Sequence, residues 1–266
     1  MAVEPIIASE VVSQLRAAGC VFAEDEAELI LGTADGPDQV ASMVERRASG
    51  LPLEHVLGWA EFHGLRVAVD PGVFVPRRRT EFLVHRALAA SRSLADASRP
   101  LVVVDLCCGS GALGAALAAA LPGTELYAAD IEPAAVRCAR RNVAPYGGRV
   151  YEGDLFDALP AEPRGRIDIL TANVPYVPSD EVGLLPAEAR EHEPLVALDG
   201  GSDGLDIMRR VALAAPDWLA PGGILLTETS ERQVPGALAA MAAGGLRAGL
   251  VTSEELYANV VTGVRR

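Results

Sequence analysis

Four polar residues end apolar runs that follow residue 100 of the chain. LVVVDL ends near Asp105, ELYAAD at Asp130, RVYEGD at Asp154 and DILTAN at Asn173. Each run is typical of a buried strand. Helical patterns separate successive runs, which predicts a parallel sheet covered on both faces. Ligands of such sheets bind outside the carboxyl ends of the strands, so these four residues predict one binding site.

The loop after the first of these strands is rich in glycine. It reads DLCCGSGALG, in which Gly109, Gly111 and Gly114 spell GxGxxG. Asp130 follows about twenty residues later, which is typical of a dinucleotide fold whose acid holds ribose hydroxyls. Here, however, Asp105 ends the strand and two cysteines precede the first glycine. A carboxylate at that place favours a cationic ligand over a pyrophosphate, and an NAD-dependent oxidoreductase stays as an alternative.

The spacing D-x-x-x-G-x-G resembles motif I of the Rossmann-like methyltransferases, whose cofactor is the cation S-adenosylmethionine. The resemblance implies that Gly109 and Gly111 let the backbone approach the cofactor. It also implies that Asp130 binds the ribose hydroxyls and that Asp154 and Leu155 face the adenine. The expected cofactor-binding residues are Asp105, Cys107, Cys108, Gly109, Ser110, Gly111, Asp130, Ile131, Asp154, Leu155 and Asn173.

The segment TANVPYVP (171–178) resembles the (N/D)-P-P-(Y/F) motif of methyltransferases that act on planar amide or amine nitrogens. The Asn173 side-chain oxygen and the Val174 carbonyl would accept both N–H groups of a substrate NH₂. These contacts align the nitrogen with the methyl group and offset the charge that develops. Tyr176 would pack against the flat substrate group, and Pro175 restrains Val174 to extended geometry. The predicted catalytic residues are therefore Asn173, Val174, Pro175 and Tyr176.

Three further stretches resemble the HemK/PrmC family of protein-(glutamine-N(5)) methyltransferases. They are GLPLEHVLGWAEFHGLRVAVDPGVFVPRRRTE (50–81), HEPLVALDGGSDGLD (192–206) and LLTETSERQ (225–233). The resemblance implies methyl transfer to the side-chain amide of a glutamine in a release factor or a ribosomal protein. Phe74, Pro76, Arg77 and Thr80 are the substrate residues that it implies. Three departures leave a different protein substrate open: Val174 replaces the family proline, IPRPDTE reads VPRRRTE, and the N-terminal helical region is shorter than is typical of the family.

The resemblance also implies the elements that position these residues. We expect an α/β fold, namely a Rossmann-like class I methyltransferase with a mostly parallel seven-stranded sheet. A small N-terminal helical domain for substrate recognition would occupy residues 1–52, a β-hairpin linker 53–79 and the methyltransferase domain 80–266. Alternating apolar residues over 59–76 support the hairpin, with Pro71–Gly72 predicted as a turn.

Composition excludes several functions. The chain has 266 residues, 36 of them acidic and 23 basic, and all the basic ones are arginine. Without lysine there is no Schiff-base, P-loop or protein-kinase chemistry. The net charge of −13 argues against direct nucleic-acid binding, although an adenine methyltransferase of RNA or DNA is kept as an alternative. A non-catalytic cofactor-binding module is the other alternative, with Val174 marking lost turnover.

The remaining features concern metals and location. Four cysteines and four histidines are scattered without metal-ligand spacing, so we expect no metal. The first ten residues lack the basic and apolar regions of a signal peptide, and no apolar run is long enough to span a bilayer. We therefore expect a cytoplasmic protein with no membrane partner.

Overall fold

The apolar runs recognised in the sequence lie side by side in one sheet. The structure is a computed structural model that describes residues 3–94 and 99–266. Its helices are α1 (Val3–Ala17), α2 (Ala23–Thr33), α3 (Pro37–Ala48), α4 (Leu53–Leu57), α5 (Glu81–Leu94), α6 (Ala112–Ala120), α7 (Pro133–Val143), α8 (Ala187–His192), α9 (Asp206–Trp218) and α10 (Val234–Ala243). Its strands are β1 (Trp59–Phe62), β2 (Leu65–Ala68), β3 (Val102–Leu106), β4 (Glu125–Asp130), β5 (Arg149–Glu152), β6 (Ile167–Ala172), β7 (Leu219–Thr229), β8 (Arg247–Ser253) and β9 (Ala258–Val264).

The large sheet has seven strands in the order β5-β4-β3-β6-β7-β9-β8. Strands β3 to β7 are parallel, whereas β9 runs antiparallel between β7 and β8. The predicted fold class, a mostly parallel seven-stranded α/β sheet, is confirmed. The parallel strands place their carboxyl ends on one edge, so the residues that follow them meet there.

Both faces of the sheet are covered, which is why its central strands are apolar throughout. Every residue of β3 and β6 is buried. One core lies between the sheet and helices α5, α6 and α7, and the other involves α9 and α10. Helix α6 consists of alanine, leucine and one glycine, and these small side chains let it pack between α5 and α7. Close packing of that helix fixes the glycine-rich loop at its N-terminal end.

The first four helices enclose a separate apolar cluster that includes Leu15 and Ile30. Val56 and Leu57 of α4 belong to this cluster, although the sequence assigned them to the linker. Hairpin residues such as Phe62, in contrast, pack in the methyltransferase core. The linker is therefore divided between two cores, and the boundaries at residues 52 and 79 stay predictions.

The predicted turn at Pro71–Gly72 is present, but it is not the turn of the hairpin. Strands β1 and β2 are joined by His63 and Gly64, and Pro71–Gly72 lies beyond β2. His63 has φ of 50° and Gly64 has φ of 73°, which are the positive values that a two-residue hairpin turn requires. Histidine adopts positive φ more readily than most residues, but its propensity is too weak to identify the turn from sequence. No helix in the described part of the chain is long and apolar enough to cross a membrane.

Candidate active site

A cavity of about 580 Å³ opens at the carboxyl edge of the sheet. Its volume is in the range that holds small-molecule ligands. The sequence-predicted residues in its wall are Phe74, Pro76, Arg77, Thr80, Cys107, Cys108, Gly109, Ser110, Asp130, Ile131, Asp154, Leu155, Asn173, Val174, Pro175 and Tyr176. Asp105 and Gly111 are absent from this wall. The structure thus brings together the predicted cofactor, catalytic and substrate residues, with two exceptions.

Asp105 lies beneath the glycine-rich loop instead of facing the cavity. Its carboxylate is fully buried, and it accepts hydrogen bonds from the Gly114 N–H at 2.9 Å and the Thr171 hydroxyl at 3.1 Å. Burial raises the pKa of Asp105 to about 7, although both hydrogen bonds oppose this shift. Asp105 is therefore not among the residues that face the cavity, and its expected contact with a cationic cofactor stays a prediction. Its carboxylate holds the start of α6 against the sheet.

Gly111 also has a different role from the one expected. Its φ is 77°, and an added Cβ would lie 3.0 Å from the Cβ of Ala139 on α7. Gly111 is thus needed for the contact between the loop and α7. At Gly109, with φ of 54°, the nearest atom to an added Cβ is the Phe74 Cβ at 4.0 Å. The absence of a side chain at Gly109 therefore leaves free space in the cavity beside Phe74.

Asp130 anchors the other side of the same loop. One carboxylate oxygen accepts the Gly109 N–H at 2.8 Å, and the other accepts the Glu132 N–H at 2.9 Å. Burial raises the pKa of Asp130. Asp154 forms an ion pair with Arg210 at 2.6 Å, and both side chains are about half exposed.

Two cysteines contribute apolar surface to the cavity wall. Cys107 has φ of 53°, which is unusual for a residue with a side chain. Burial raises the pKa of both the Cys107 and the Cys108 thiols, so both are neutral at pH 7. Within residues 3–94 and 99–266, no cluster of histidine, cysteine and acidic side chains has the arrangement of a metal site.

Asn173 carries the most informative atom of the cavity. It follows the end of β6, and its Oδ1 is buried without a hydrogen-bond partner among the described residues. A buried acceptor left unpaired costs about 1–3 kcal/mol, and native structures contain few of them. An unsatisfied acceptor in the wall of a cavity is suited to a ligand N–H.

The segment after Asn173 is fixed by residues far away in the chain. The Gln233 Nε2 donates to the Tyr176 carbonyl at 2.7 Å and to the Asp203 carbonyl at 2.9 Å. At Gly204, an added Cβ would lie 2.3 Å from the Tyr176 carbonyl oxygen. These contacts explain why the stretches at 192–206 and 225–233 accompany the asparagine motif.

Glu228 is a site residue that the sequence analysis missed. It is 4% exposed at the carboxyl end of β7. Its carboxylate accepts the Arg79 Nε–H at 2.8 Å, the Tyr176 hydroxyl at 3.0 Å and the Thr80 hydroxyl at 2.8 Å. Burial raises the pKa of Tyr176, so that its hydroxyl stays a donor. A polar residue at the end of a fifth strand, GILLTET, was the available signal.

Arg77 and Phe74 are attached to the stretch at 192–206. The Arg77 guanidinium donates to the Glu193 carboxylate at 2.6 Å and lies 4.9 Å from the centre of the Phe74 ring. The same Glu193 oxygen accepts the Val75 N–H at 3.2 Å. Burial raises the pKa of Glu193, whereas the Arg77 charge opposes this shift. The linker therefore reaches the cavity through ion pairs at Arg77 and Arg79.

Comparison with known proteins identifies the family. The "Methyltransferase small domain" family model matches residues 65–185. A release factor glutamine methyltransferase from Gloeobacter violaceus is 41% identical over 74% of this chain and 68% of its own length. The chain belongs to the release factor glutamine methyltransferase family. It is an S-adenosylmethionine-dependent methyltransferase, which confirms the predicted family, enzyme class and cofactor.

Two further proteins are similar to this chain, one in sequence and one in fold. A relative from Streptomyces pristinaespiralis, named 4-amino-L-phenylalanine/4-methylamino-L-phenylalanine methyltransferase, is 38% identical over 74% of this chain and 68% of its own length. The N-terminal domain of human METTL16, solved with SAH, shares the fold with a TM-score of 0.57 at 12% identity. That match covers 92% of this chain and 84% of the METTL16 chain. The relatives do not favour the adenine methyltransferase or the non-catalytic module.

Proposed function

We propose that this protein transfers a methyl group from S-adenosylmethionine to the side-chain amide nitrogen of a glutamine in a release factor. The buried, unpartnered Asn173 Oδ1 in the cavity wall is the observation that carries the proposal. A primary amide offers two N–H groups in one plane, and the Asn173 Oδ1 would accept one of them. The Val174 carbonyl would accept the other.

The cavity residues fit the proposed cofactor. Backbone N–H groups hold both carboxylate oxygens of Asp130 in place. Each oxygen keeps a further lone pair that could accept a hydrogen bond from a cofactor hydroxyl. Gly109 leaves room beside Phe74, and Asp154, Ile131 and Leu155 lie in the same wall. S-adenosylmethionine, when bound there, supplies an electrophilic methyl group on a sulfonium.

Val174 is compatible with this role despite replacing the family proline. Its side chain is 2% exposed and packs in the core beneath the sheet edge. Pro175 keeps Val174 out of helical geometry, and Gln233 fixes the Tyr176 carbonyl. The backbone carbonyl of residue 174 is therefore positioned by its neighbours, which is the property the reaction needs.

Tyr176 and Phe74 would enclose the flat amide. Tyr176 is fixed by its hydrogen bond to Glu228 and by the Arg79 guanidinium at 2.6 Å from its hydroxyl. Apolar side chains form most of the cavity surface, so a bound substrate amide would lie in surroundings of low dielectric constant, where hydrogen bonds to it are strengthened. Methyl transfer would yield S-adenosylhomocysteine and release one amide proton, and the protein would contribute positioning and electrostatic stabilisation without a covalent enzyme intermediate.

The N-terminal region would present the protein substrate. Arg47 of α3 forms ion pairs with Glu26 at 2.6 Å and with Glu188 of α8 at 2.5 Å. Glu188 lines the active-site cavity. We therefore propose that residues 1–52 and the linker 53–79 recognise the release factor and hold it over the cavity.

The test is methylation of purified release factors with the cofactor, followed by mass mapping of the peptide that contains the GGQ motif. We expect one methyl group on the glutamine amide. A parallel reaction with free 4-amino-L-phenylalanine examines the activity named for the Streptomyces relative. Tight cofactor binding without methyl addition to any glutamine would contradict the proposal.

A further inference from the structure

A second cavity adjoins the active site on the side of β7, β8 and β9. Its volume is about 750 Å³. We call it the strand-end groove, and it is lined by Arg79, Tyr176, Glu228, Thr229, Ser230, Glu231, Thr252, Ser253, Glu254, Tyr257, Ala258 and Asn259. Arg79 and Tyr176 line the active-site cavity as well. The two cavities therefore share a wall made by Arg79 and by Tyr176, the ring of which would pack against the substrate amide.

The strand-end groove has the polar surface that a polypeptide backbone requires. The hydroxyl of Thr252 and the amide of Asn259 offer hydrogen-bonding groups along it. Tyr257 stands at the groove and is 89% exposed, so its ring can pack against a bound chain. A substrate glutamine within a loop has chain on both sides, and the groove is where one side can continue.

The charge of the strand-end groove is negative. Arg79 and Glu228 neutralise each other through an ion pair at 2.8 Å. Glu231 and Glu254 are exposed, and neither makes an ion pair within the described ranges. Two free carboxylates attract arginine or lysine and repel phosphates. The groove thus favours a basic polypeptide over a nucleic acid.

We infer that the strand-end groove binds the polypeptide segment flanking the target glutamine and selects segments with arginine or lysine. The inference rests on the proposed function, since it concerns the same substrate. It adds that recognition extends past the amide to the neighbouring residues. It also places that recognition on β7, β8 and β9, outside the N-terminal helices.

The experiment uses two labelled peptides and the full chain loaded with S-adenosylhomocysteine. Each peptide has one glutamine between glycines, flanked by arginine in one peptide and by glutamate in the other. Fluorescence anisotropy should give about tenfold tighter binding of the arginine peptide than of the glutamate peptide. The two exposed carboxylates of the groove attract arginine, whereas they repel glutamate. The double variant Glu231→Lys/Glu254→Lys should lose this preference.

The matched control is Glu162→Lys/Glu255→Lys, which changes the net charge equally. Both residues are exposed, and neither lines the groove. We expect this variant to keep the preference for arginine. Equal binding of the two peptides, no binding of either, or equal effects of the two variants would each overturn the inference. Binding of RNA to the wild type that the arginine peptide displaces would also overturn it. Methylation of the intact release factor by the wild type is measured separately, so failure of the proposed function is distinguishable.

Discussion

The loop after β3 and the loop after β6 both line the active-site cavity, but different contacts hold them. The loop after β3 is fixed by Asp105, nine residues before Gly114, and by Asp130, 21 residues after Gly109. Tyr176, after β6, is fixed by Arg79 and Glu228, which are 97 and 52 residues away. The cofactor side is thus built locally, whereas the substrate side depends on the complete fold. Substitutions at the two sides should separate cofactor binding from turnover.

The largest expected effect is that of Asn173→Ala on turnover. Removing the acceptor for the substrate amide should lower kcat by about 10²–10³-fold, which is the scale of losing one preorganised hydrogen bond at a reacting centre. Cofactor affinity, measured by calorimetry, should stay close to that of the wild type. Loss of cofactor binding together with turnover would contradict the role assigned to Asn173.

Substitution of the two glycines in the loop after β3 should have different effects, one on stability and the other on cofactor affinity. Gly111→Ala should lower the free energy of unfolding by about 1–3 kcal/mol, because the new Cβ meets Ala139 in a strained backbone conformation. Gly109→Ala should mainly weaken cofactor binding, since its Cβ projects toward Phe74 with space around it. For both variants, denaturant titration measures the free energy of unfolding and calorimetry measures the cofactor affinity. Equal effects on cofactor affinity would show that both glycines face the ligand.

Substitutions of Asp130 and Asp105, the two acids that hold the glycine-rich loop, should differ in their effect on cofactor affinity. Asp130→Asn places an amide where backbone N–H groups now donate, and it should weaken cofactor binding about tenfold. Asp105→Asn should change cofactor affinity less than about threefold, because burial of Asp105 keeps its side chain away from the ligand. Isothermal titration of both variants compares them directly. An equal loss in both would restore Asp105 as a ligand contact.

Asp105 also predicts a pH dependence of stability. Its folded-state pKa, about 7, lies above the ordinary value of 3.8, so the folded protein binds this proton more tightly than the unfolded chain. The stabilisation is therefore present at low pH and is lost as the pH rises from about 4 through about 7. Denaturant titrations across this range should show the decline in the wild type relative to Asp105→Asn. Parallel curves for the two proteins would contradict it.

The smallest expected loss of catalytic activity is that of Glu228→Gln on the substrate side. Loss of its charge leaves Arg79 without a counter-ion beside Tyr176, while the volume of the side chain is kept. Because Arg79 is half exposed, we expect kcat/KM to fall about fivefold, with cofactor affinity unchanged. Glu255→Gln is the matched control and should retain full activity. A fall in cofactor affinity would place Glu228 on the cofactor side.

The difference between local and distant contacts also explains what the sequence could predict. Strands β3, β4, β6 and β7 were recognisable because buried parallel strands are continuous apolar runs, whereas β5, at the sheet edge, has an exposed charged residue at each end. Strands β8 and β9 were not identified individually, since RAGLVTS has no buried residue and ANVVTGV alternates between buried and half-buried residues instead of forming a continuous apolar run. The acids and the asparagine were located by their positions at strand ends. The sequence did not show that Asp105 lies outside the cavity wall, because spacing gives the strand end but not the direction of the side chain.

The contacts of Glu228 and Gln233 needed the folded structure. Gln233 lies in a stretch matched to a family, yet its hydrogen bonds to the Tyr176 and Asp203 carbonyls join three separate loops. No periodicity marks such a contact. The family's Asp position became Arg79, and only the fold shows that Glu228 faces it. The sequence therefore predicted the reaction, whereas the arrangement that orients the substrate came from the fold.

The place of β9 in the sheet has a consequence for how the protein is made. Strand β8 pairs with β9, and β9 alone joins it to β7. On a ribosome β8 emerges first and must wait for β9 to be inserted before it can enter the sheet. The residues that line the active-site cavity, in contrast, have all emerged by Arg210. All residues of the active-site cavity wall are thus synthesised before β7, β8 and β9, whose ends line the groove beside Tyr176.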